Sequence, residues 1–243
     1  MELNVLFLLL LFVVAFLYAS VGHGGASGYL ALMALFNFAP PVMKSSALLL
    51  NIFVSFIAFA QYYRGGYFKW KLFLPFAIAS VPAAFIGASV EVDVIIYKKV
   101  LGVILIFPII RLFGFLNTES EETKEVNIIV ALIVGAVIGF LSGMLGIGGG
   151  IILSPVILLL HYANMKQTAS VSALFIFVNS ITGLTSLLSK GIKIDTMVYI
   201  WLIIAIAGGL LGAYFGSKKW NNTLLKRVLA IVLCIASFKL IFS

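Results

Sequence analysis

The chain has 243 residues, of which 63% are hydrophobic and only 10% are charged. This composition excludes a water-soluble domain, because so few polar side chains could not cover its surface, and it is typical of an integral membrane protein. The net charge of +8 does not indicate nucleic-acid binding, since no basic run is interleaved with aromatic residues. We expect the basic residues in short cytoplasmic loops instead.

The first half of the chain, residues 1–116, contains four long stretches without a charged residue. A helix needs about 20 residues to cross the hydrocarbon core, so the first stretch, which covers residues 3–43, has room for two segments. The second of these is short enough to be a half-helix. We predict membrane segments at about 4–20, 27–38, 45–63, 72–90 and 95–115.

The second half, residues 126–243, follows a hydrophilic connector at residues 117–125 that contains four Glu and one Lys. Its uncharged stretches recur in the same order as those of the first half and at similar lengths. We therefore predict a second set of five segments, of which the second is again a half-helix. These segments lie at about 126–144, 150–161, 168–189, 196–216 and 224–242.

Short motifs also recur in the same order in the two halves. The glycine-rich motif at 22–25 returns at 146–149, and the Ser-Ala-Leu sequence at 46–48 returns at 172–174. Two unrelated hydrophobic halves would share a composition but not this order of landmarks. The halves are therefore predicted to be homologous repeats, which are common in secondary transporters.

The basic loops predict how the repeats are oriented. The most basic loop of the first half contains Arg64, Lys69 and Lys71, and that of the second half contains Lys218, Lys219, Lys226 and Arg227. These loops are not equivalent, so both face the cytoplasm only if each repeat crosses the membrane an odd number of times. We predict an all-α integral membrane protein with two inverted repeats, each a glycine-broken helical hairpin followed by three spans, and with both termini outside.

Glycine clusters interrupt the first long stretch of each half. Dense glycine weakens a helix, and a broken helix leaves free N–H groups and the positive end of the helix dipole at the start of the next segment. Such groups bind anions without a buried cationic side chain. Close helix packing is the alternative reading, and we favour it for Gly135 and Gly139. The candidate substrate-binding glycines are Gly22, Gly24, Gly25, Gly146, Gly148, Gly149 and Gly150.

Polar side chains accompany the glycine clusters. Asn51 and Asn179 lie in apolar spans, where an unpaired amide is costly, so each is predicted to contact substrate or to bond another helix. His23 is a candidate carrier of a coupled proton, because histidine titrates near neutral pH, and a plain hydrogen-bonded histidine is the alternative. Ser27 is a further candidate substrate contact. The remaining polar residues near the clusters are Ser20, Ser45, Ser46, Ser55, Gln61, Ser142, Ser154, Thr168, Ser170, Ser172 and Ser180.

The sequence contains no pattern that indicates an enzyme. It has no Walker-type phosphate loop, no Cys/His spacing typical of a metal site and no nucleophile–base pair. No Asp or Glu lies deep in a predicted span, so a carboxylate proton relay is not expected either. We therefore predict no catalytic residue, no metal site and no cofactor.

Residues 139–155, in which a glycine-rich break precedes an apolar half-helix with a proline, resemble the signature of the TauE/SafE sulfite exporter family. The partner break at 22–28, the two halves and the charged connector are also similar to that family. The resemblance implies export of sulfite, a sulfonate or a related sulfur-containing anion across the plasma (inner) membrane, coupled to a proton or sodium gradient. Ile147 stands where the first repeat has His23, so the two halves are expected to contribute unequally.

Two other functions remain open on the sequence. A passive anion channel would use the same helix breaks without a coupling ion, and a membrane scaffold or assembly factor would bind no small ligand. The expected partners of the transporter are a small anion, a coupling ion and the lipid bilayer, with no nucleic acid. The sequence does not indicate an oligomeric state.

Overall fold

The computed structural model describes residues 5–112, 123–217 and 223–242. Within these ranges the chain forms only α-helices and the loops between them, which confirms the predicted all-α class. Most of the predicted connector at 117–125 lies outside the described residues, as do Lys218 and Lys219. The helices are α1 (Val5–Ser20), α2 (Ala26–Leu35), α3 (Pro40–Arg64), α4 (Trp70–Ser89), α5 (Val94–Ile104), α6 (Ile106–Leu112), α7 (Ile128–Leu145), α8 (Gly150–Leu159), α9 (Met165–Ser189), α10 (Met197–Ser217) and α11 (Thr223–Phe242).

Five of these helices are long and apolar enough to cross a membrane, namely α3, α4, α7, α9 and α10. Many large apolar side chains point away from the protein, for example Ile129 and Ile203, each 69% exposed, as expected for a surface that contacts lipid. By contrast, α2 and α8 have 10 residues each and therefore span about 15 Å. The chain is a multi-pass integral membrane protein that also contains two half-length helices.

Two helix boundaries differ from the sequence prediction. The expected segment at 95–115 is divided into α5 and α6, because Pro108 has no N–H to donate to the carbonyl of Ile104. Helix α3 begins at Pro40 rather than at 45, since proline is favoured in the first helical turn. Lys44 therefore lies inside α3 and not in the loop before it.

Close contacts between backbones hold the outer helices in pairs. On α7, Gly135 and Gly139 lie directly against the backbone of α4 at Phe76 and Ser80, as the glycine spacing predicts. On α10, Gly208, Gly212 and Gly216 lie in the same way against α1 at Phe12, Phe16 and Ser20. Residue numbers rise together along both interfaces, so α4 runs parallel to α7 and α1 runs parallel to α10.

Helices α3 and α9 cross the centre of the protein and are the most buried of the five spans. Leu48 lies beside Gly183, and the rings of Phe56 and Phe177 are 5.3 Å apart. Residue numbers rise along α3 as they fall along α9, so these two helices are antiparallel. They bring side chains from both halves of the chain to the centre.

The helices end at two faces of the bundle, which we call the Arg64 end and the Lys44 end. At the Arg64 end, the hydroxyl of Tyr62 on α3 donates a hydrogen bond to the carbonyl of Ser20 on α1 (3.0 Å). At the Lys44 end, the ammonium of Lys190, which follows α9, bonds the carbonyl of Ser89 on α4. The loops on either side of α3 thus lie at opposite faces.

Candidate substrate site at two helix breaks

The first break lies between α1 and α2, at residues 21–25. Gly22 and Gly25 have φ angles of +77° and +102°, which glycine adopts without the steric cost of a side chain. The backbone N–H of His23 returns to the carbonyl of Tyr18 (2.9 Å), which closes the end of α1. Helix α2 then begins after Gly25 without an N-cap side chain of its own.

The second break lies between α7 and α8, at residues 146–149. Gly146, Gly148 and Gly149 have φ angles of +79°, +72° and +78°. Helix α8 begins at Gly150, and it too has a glycine instead of an N-cap side chain. Both half-length helices therefore start inside the protein with first-turn N–H groups that no neighbouring side chain in sequence caps.

Asn51, on α3, connects the two breaks. Its side-chain oxygen accepts a hydrogen bond from the backbone N–H of Ala26, in the first turn of α2 (2.9 Å). Its side-chain nitrogen donates to the carbonyl of Ile147 in the second break and to the hydroxyl of Ser180 on α9 (3.4 Å each). Asn51 is completely buried, so its amide group hydrogen-bonds to these protein groups and not to water.

Ile176, on α9, lies against the same two breaks. A methyl group at Gly148 would lie 2.5 Å from the Asn51 side-chain nitrogen and 2.8 Å from Ile176 Cγ2. A methyl group at Gly24 would overlap the Asn51 side-chain oxygen and lie 3.1 Å from Ile176 Cγ2. Because Gly24 and Gly148 have no side chains, both breaks can lie directly against Asn51 and Ile176.

His23 extends from the first break to the second repeat. Its Nδ1 lies 3.0 Å from the carbonyl oxygen of Val21. Its Nε2 faces the hydroxyl of Ser154 (2.9 Å) and the carbonyl of Gly150 (3.2 Å), both in the first turns of α8. Ser154 in turn contacts the hydroxyl of Ser172 on α9 (2.8 Å). His23, Ser154 and Ser172 thus form a buried polar chain.

The other predicted glycines lie at the edges of this centre. A methyl group at Gly22 would lie 2.5 Å from Ala169 Cβ, in the first turns of α9. A methyl group at Gly146 would lie 2.8 Å from Lys44 Cγ, in the first turns of α3. Each break thus packs on the third helix of the opposite half. Gly25 and Gly149 pack against the rings of Tyr29 and Phe175.

Ser27 and Asn179, which were predicted to contact substrate, make other hydrogen bonds in the structure. The hydroxyl of Ser27 donates to the hydroxyl of Tyr18 (2.7 Å), which joins α2 to α1. The side-chain nitrogen of Asn179 donates to the carbonyl of Phe175 in its own helix (2.9 Å). Neither hydrogen bond is made to Asn51 or to the second break.

Comparison with known proteins identifies the family. The sequence model of the sulfite exporter TauE/SafE family matches residues 7–240, which is nearly the whole chain. The chain belongs to the TauE/SafE family. This family consists of membrane transporters and not of enzymes, in agreement with the prediction from the sequence.

Relatives of this TauE/SafE protein come from bacteria and archaea. A probable membrane transporter protein, y4hK, from Sinorhizobium fredii is 38% identical over 235 residues, which covers 95% of each chain. Probable membrane transporter proteins MJ0441 from Methanocaldococcus jannaschii and YunE from Bacillus subtilis are 29% and 27% identical; the matches cover 80% and 84% of this chain and 77% and 82% of those proteins. No solved structure matches the chain.

Sequence reasoning missed two residues that shape the site of this TauE/SafE protein. Ile176 carries no polar group, so nothing in its pattern distinguishes it from lipid-facing or core residues. Lys44 lies between the predicted segments at 27–38 and 45–63, although a charged residue beside Ser45 and Ser46, one turn inside a helix, is itself a signal. Ser154 and Ser172 were among the polar candidates, but their connection to His23 appears only in the structure.

Proposed function

We propose that this TauE/SafE family member is a secondary transporter of a small sulfur-containing anion, such as sulfite or a sulfonate, and that it binds the anion where the two helix breaks meet. The observation that carries this proposal is the contact of one side chain, Asn51, with both breaks. Because Asn51 hydrogen-bonds to both breaks, a displacement of one break relative to the other would change its contacts. Movement of the two halves would therefore change the affinity of this site for the anion.

The charge distribution around the breaks favours an anion over a cation. Helices α2 and α8 start at the centre, so the positive ends of their dipoles and their first N–H groups lie there. Cation sites in membranes usually use carboxylates. In the described part of the chain, every acidic side chain is exposed and lies in a loop outside the helices: Glu91, Asp93, Glu125 and Asp195.

The proposal includes inverted repeats, divided as the sequence predicts at residues 117–125. Helices α3 and α9 begin 125 residues apart and end 125 residues apart, and they run antiparallel. Helix α7 is the counterpart of α1 in the other half, and α10 is the counterpart of α4. Helix α1 packs against α10, and α7 packs against α4 in the same way. These observations support an axis in the membrane plane, about which repeats of opposite orientation are related.

Transport in this scheme requires the halves to move. Asn51 and Ser180 are completely buried and His23 is 2% exposed, so the centre is closed to solvent at both ends. A shift of one half against the other would separate the breaks, free the Ala26 and Ile147 backbone groups from Asn51, and open the centre to one end at a time. The freed N–H of Ala26, with the other first-turn N–H groups of α2 and α8, would then bind the anion.

His23 supports coupling to protons in the same scheme. In the neutral tautomer with its proton on Nδ1, its Nε2 accepts a hydrogen bond from Ser154; in the charged ring, the same nitrogen donates to Ser154 or to the Gly150 carbonyl. Protonation would therefore change the contact between the first break and α8. This is the contact that we expect to be altered during transport.

Reconstituted protein in liposomes provides the test. We expect sulfite or a small sulfonate to raise the melting temperature of the purified protein, because a ligand that binds only the folded state stabilises it. We also expect a pH or sodium gradient to accumulate that anion inside liposomes above its equilibrium level. Equilibration without accumulation would identify a passive channel instead. The proposal is wrong if sulfite, sulfonates, sulfate, chloride and carboxylates all fail to stabilise the protein and to cross the membrane.

A further inference from the structure

A cavity of about 360 Å³ opens at the Lys44 end, away from the meeting point of the breaks. Its walls come from both halves of the chain, since they include the start of α3 and the end of α4 as well as the ends of α7 and α9. Val90, Met144 and Leu187 give it apolar surface, and Lys44 and Lys190 give it positive charge. Its size is within the range of small-molecule sites.

Lys44 is buried and forms no ion pair within the described part of the chain. The residue is only 9% exposed, and its ammonium donates one hydrogen bond, to the carbonyl of Ala88 (3.3 Å). Within the described residues, the ion pair at this cavity joins Lys190 to Glu91 (3.7 Å) and leaves Lys44 without a carboxylate within 4.0 Å. An ammonium has three donors, so two remain for a ligand or for water.

The cavity lies next to the second break. Met144, which lines it, is two residues before Gly146, and a methyl group at Gly146 would lie 2.8 Å from Lys44 Cγ. Tyr97, another lining residue, holds the end of α7 by donating a hydrogen bond to the carbonyl of Leu145 (3.0 Å). The cavity thus borders the end of α7, next to the second break.

Lys44 and Asn51 lie on the same face of α3. They are seven residues apart, which is two helical turns and about 10 Å along the axis. An anion released from Lys44 would therefore reach the Asn51 centre by moving along one face of one helix. The equivalent position beside the first break is occupied by Ala169, so a corresponding cation is absent there among the described residues.

We propose that this cavity is an access site for the transported anion, in which Lys44 binds the acidic head and Val90, Met144 and Leu187 contact a short apolar body. The inference rests on the proposed anion transport and adds a second binding position to it. The ligand class is a small organic anion, such as a sulfonate or a carboxylate. Among the described residues, a buried lysine lines such a cavity at the Lys44 end, so we expect the protein to bind its substrate more tightly from that end than from the other.

Charge-selective labelling tests the site without depending on transport. We would place a cysteine in the cavity with Val90→Cys, in a Cys234→Ser background, and measure its rates of modification by anionic and cationic thiosulfonate reagents. Lys44→Gln should lower the anionic-to-cationic rate ratio by about tenfold, because a charge in a low-dielectric cleft concentrates counter-ions at least that much. Lys44→Arg should preserve the ratio. The matched control is Thr196→Cys, exposed at the same end outside the cavity, whose ratio should not respond to Lys44→Gln.

Protection by ligand completes the experiment. A small sulfonate should slow modification of Val90→Cys when Lys44 is present and should not do so in Lys44→Gln. If the ratio and the protection are the same with and without Lys44 in a protein that transports anions, the access site is wrong and the proposed function stands. If Lys44-dependent protection is present but no anion is transported, the cavity site is supported and the proposed function is wrong. The melting temperature of each variant without ligand shows whether it has folded.

Discussion

The side-chain oxygen of Asn51 accepts a hydrogen bond from the backbone N–H of Ala26 across 2.9 Å, although the two residues belong to different helices. Ala26 is the first residue of α2, so this contact satisfies one of the N–H groups that a broken helix leaves free. An anion would compete for the same group. In the proposed scheme, the contact therefore stabilises the closed centre and breaks when the site opens.

Two substitutions of Asn51 separate these roles. Asn51→Leu removes both hydrogen-bonding groups and leaves the Ala26 N–H buried and unpaired, which costs about 1–3 kcal/mol. We expect a lower melting temperature and a loss of anion uptake. Asn51→Asp keeps an acceptor for Ala26 but places a carboxylate in the proposed anion site. We expect that variant to remain folded and to lose anion-dependent stabilisation.

Thermal unfolding with and without sulfite, followed by uptake into liposomes, measures both effects. Anion-dependent stabilisation of Asn51→Asp equal to that of the unaltered protein would contradict the assignment of Asn51 to the anion site. Equal uptake by Asn51→Leu would show that the centre does not depend on this amide.

The substitution Gly148→Ala tests whether transport requires both breaks to contact Asn51. Gly148→Ala would place its Cβ 2.5 Å from the Asn51 side-chain nitrogen, so Asn51 must shift and lose at least one buried hydrogen bond. Leaving a buried polar group unpaired costs about 1–3 kcal/mol, which corresponds to a decrease in uptake of about fivefold to about 150-fold.

Gly191→Ala is the matched control for that variant. Gly191 has a φ angle of +80°, close to the +72° of Gly148, but nothing lies within 4 Å of the position its methyl group would occupy. Both variants therefore carry the strain of a side chain at positive φ, and only Gly148→Ala also displaces Asn51. Uptake should fall in Gly148→Ala alone; an equal fall in both would mean that backbone strain, and not the central contact, is responsible.

Local composition was enough to predict the breaks, but not which residues meet there. The glycine clusters at 22–25 and 146–150 predict an interruption, and a helix ends and another begins at each of these places. Which glycines face the centre depends on how helices from the two halves pack. Gly24 and Gly148 lie against Asn51, whereas Gly22 and Gly146 lie against the first turns of α9 and α3.

The sequence also does not indicate in which direction each polar side chain points. Asn179 and Ser180 are neighbours on α9, and successive residues of a helix point about 100° apart. Ser180 reaches Asn51, while the amide of Asn179 bonds its own helix at Phe175. Only the contact between α3 and α9 decides which of the two faces the breaks, and that contact joins residues far apart in sequence.

The pH dependence of transport tests the role of His23. Histidine changes its charge between about pH 5 and pH 8, so a proton carried by His23 makes uptake depend on pH over that range. His23→Gln keeps a hydrogen-bonding side chain but does not titrate, and we expect its uptake to be nearly constant over the range. The control is His161→Gln, because His161, the other histidine of the chain, lies in the turn after α8 and should leave the pH dependence unchanged. A persistent pH dependence in His23→Gln would assign the coupling to another group.

The predicted inverted orientation is open to a direct test at two equivalent loops. Gly66 follows α3 at the Arg64 end and Gly191 follows α9 at the Lys44 end; both have positive φ angles and open surroundings. A cysteine at either position, in a Cys234→Ser background, should therefore destabilise the protein by a similar amount. Because basic loops stay in the cytoplasm, we expect an impermeant thiol reagent to label Gly191→Cys in intact cells and to label Gly66→Cys only after the membrane is opened. Labelling of both positions from the same side would contradict inverted repeats, since α3 and α9 would then cross in the same direction.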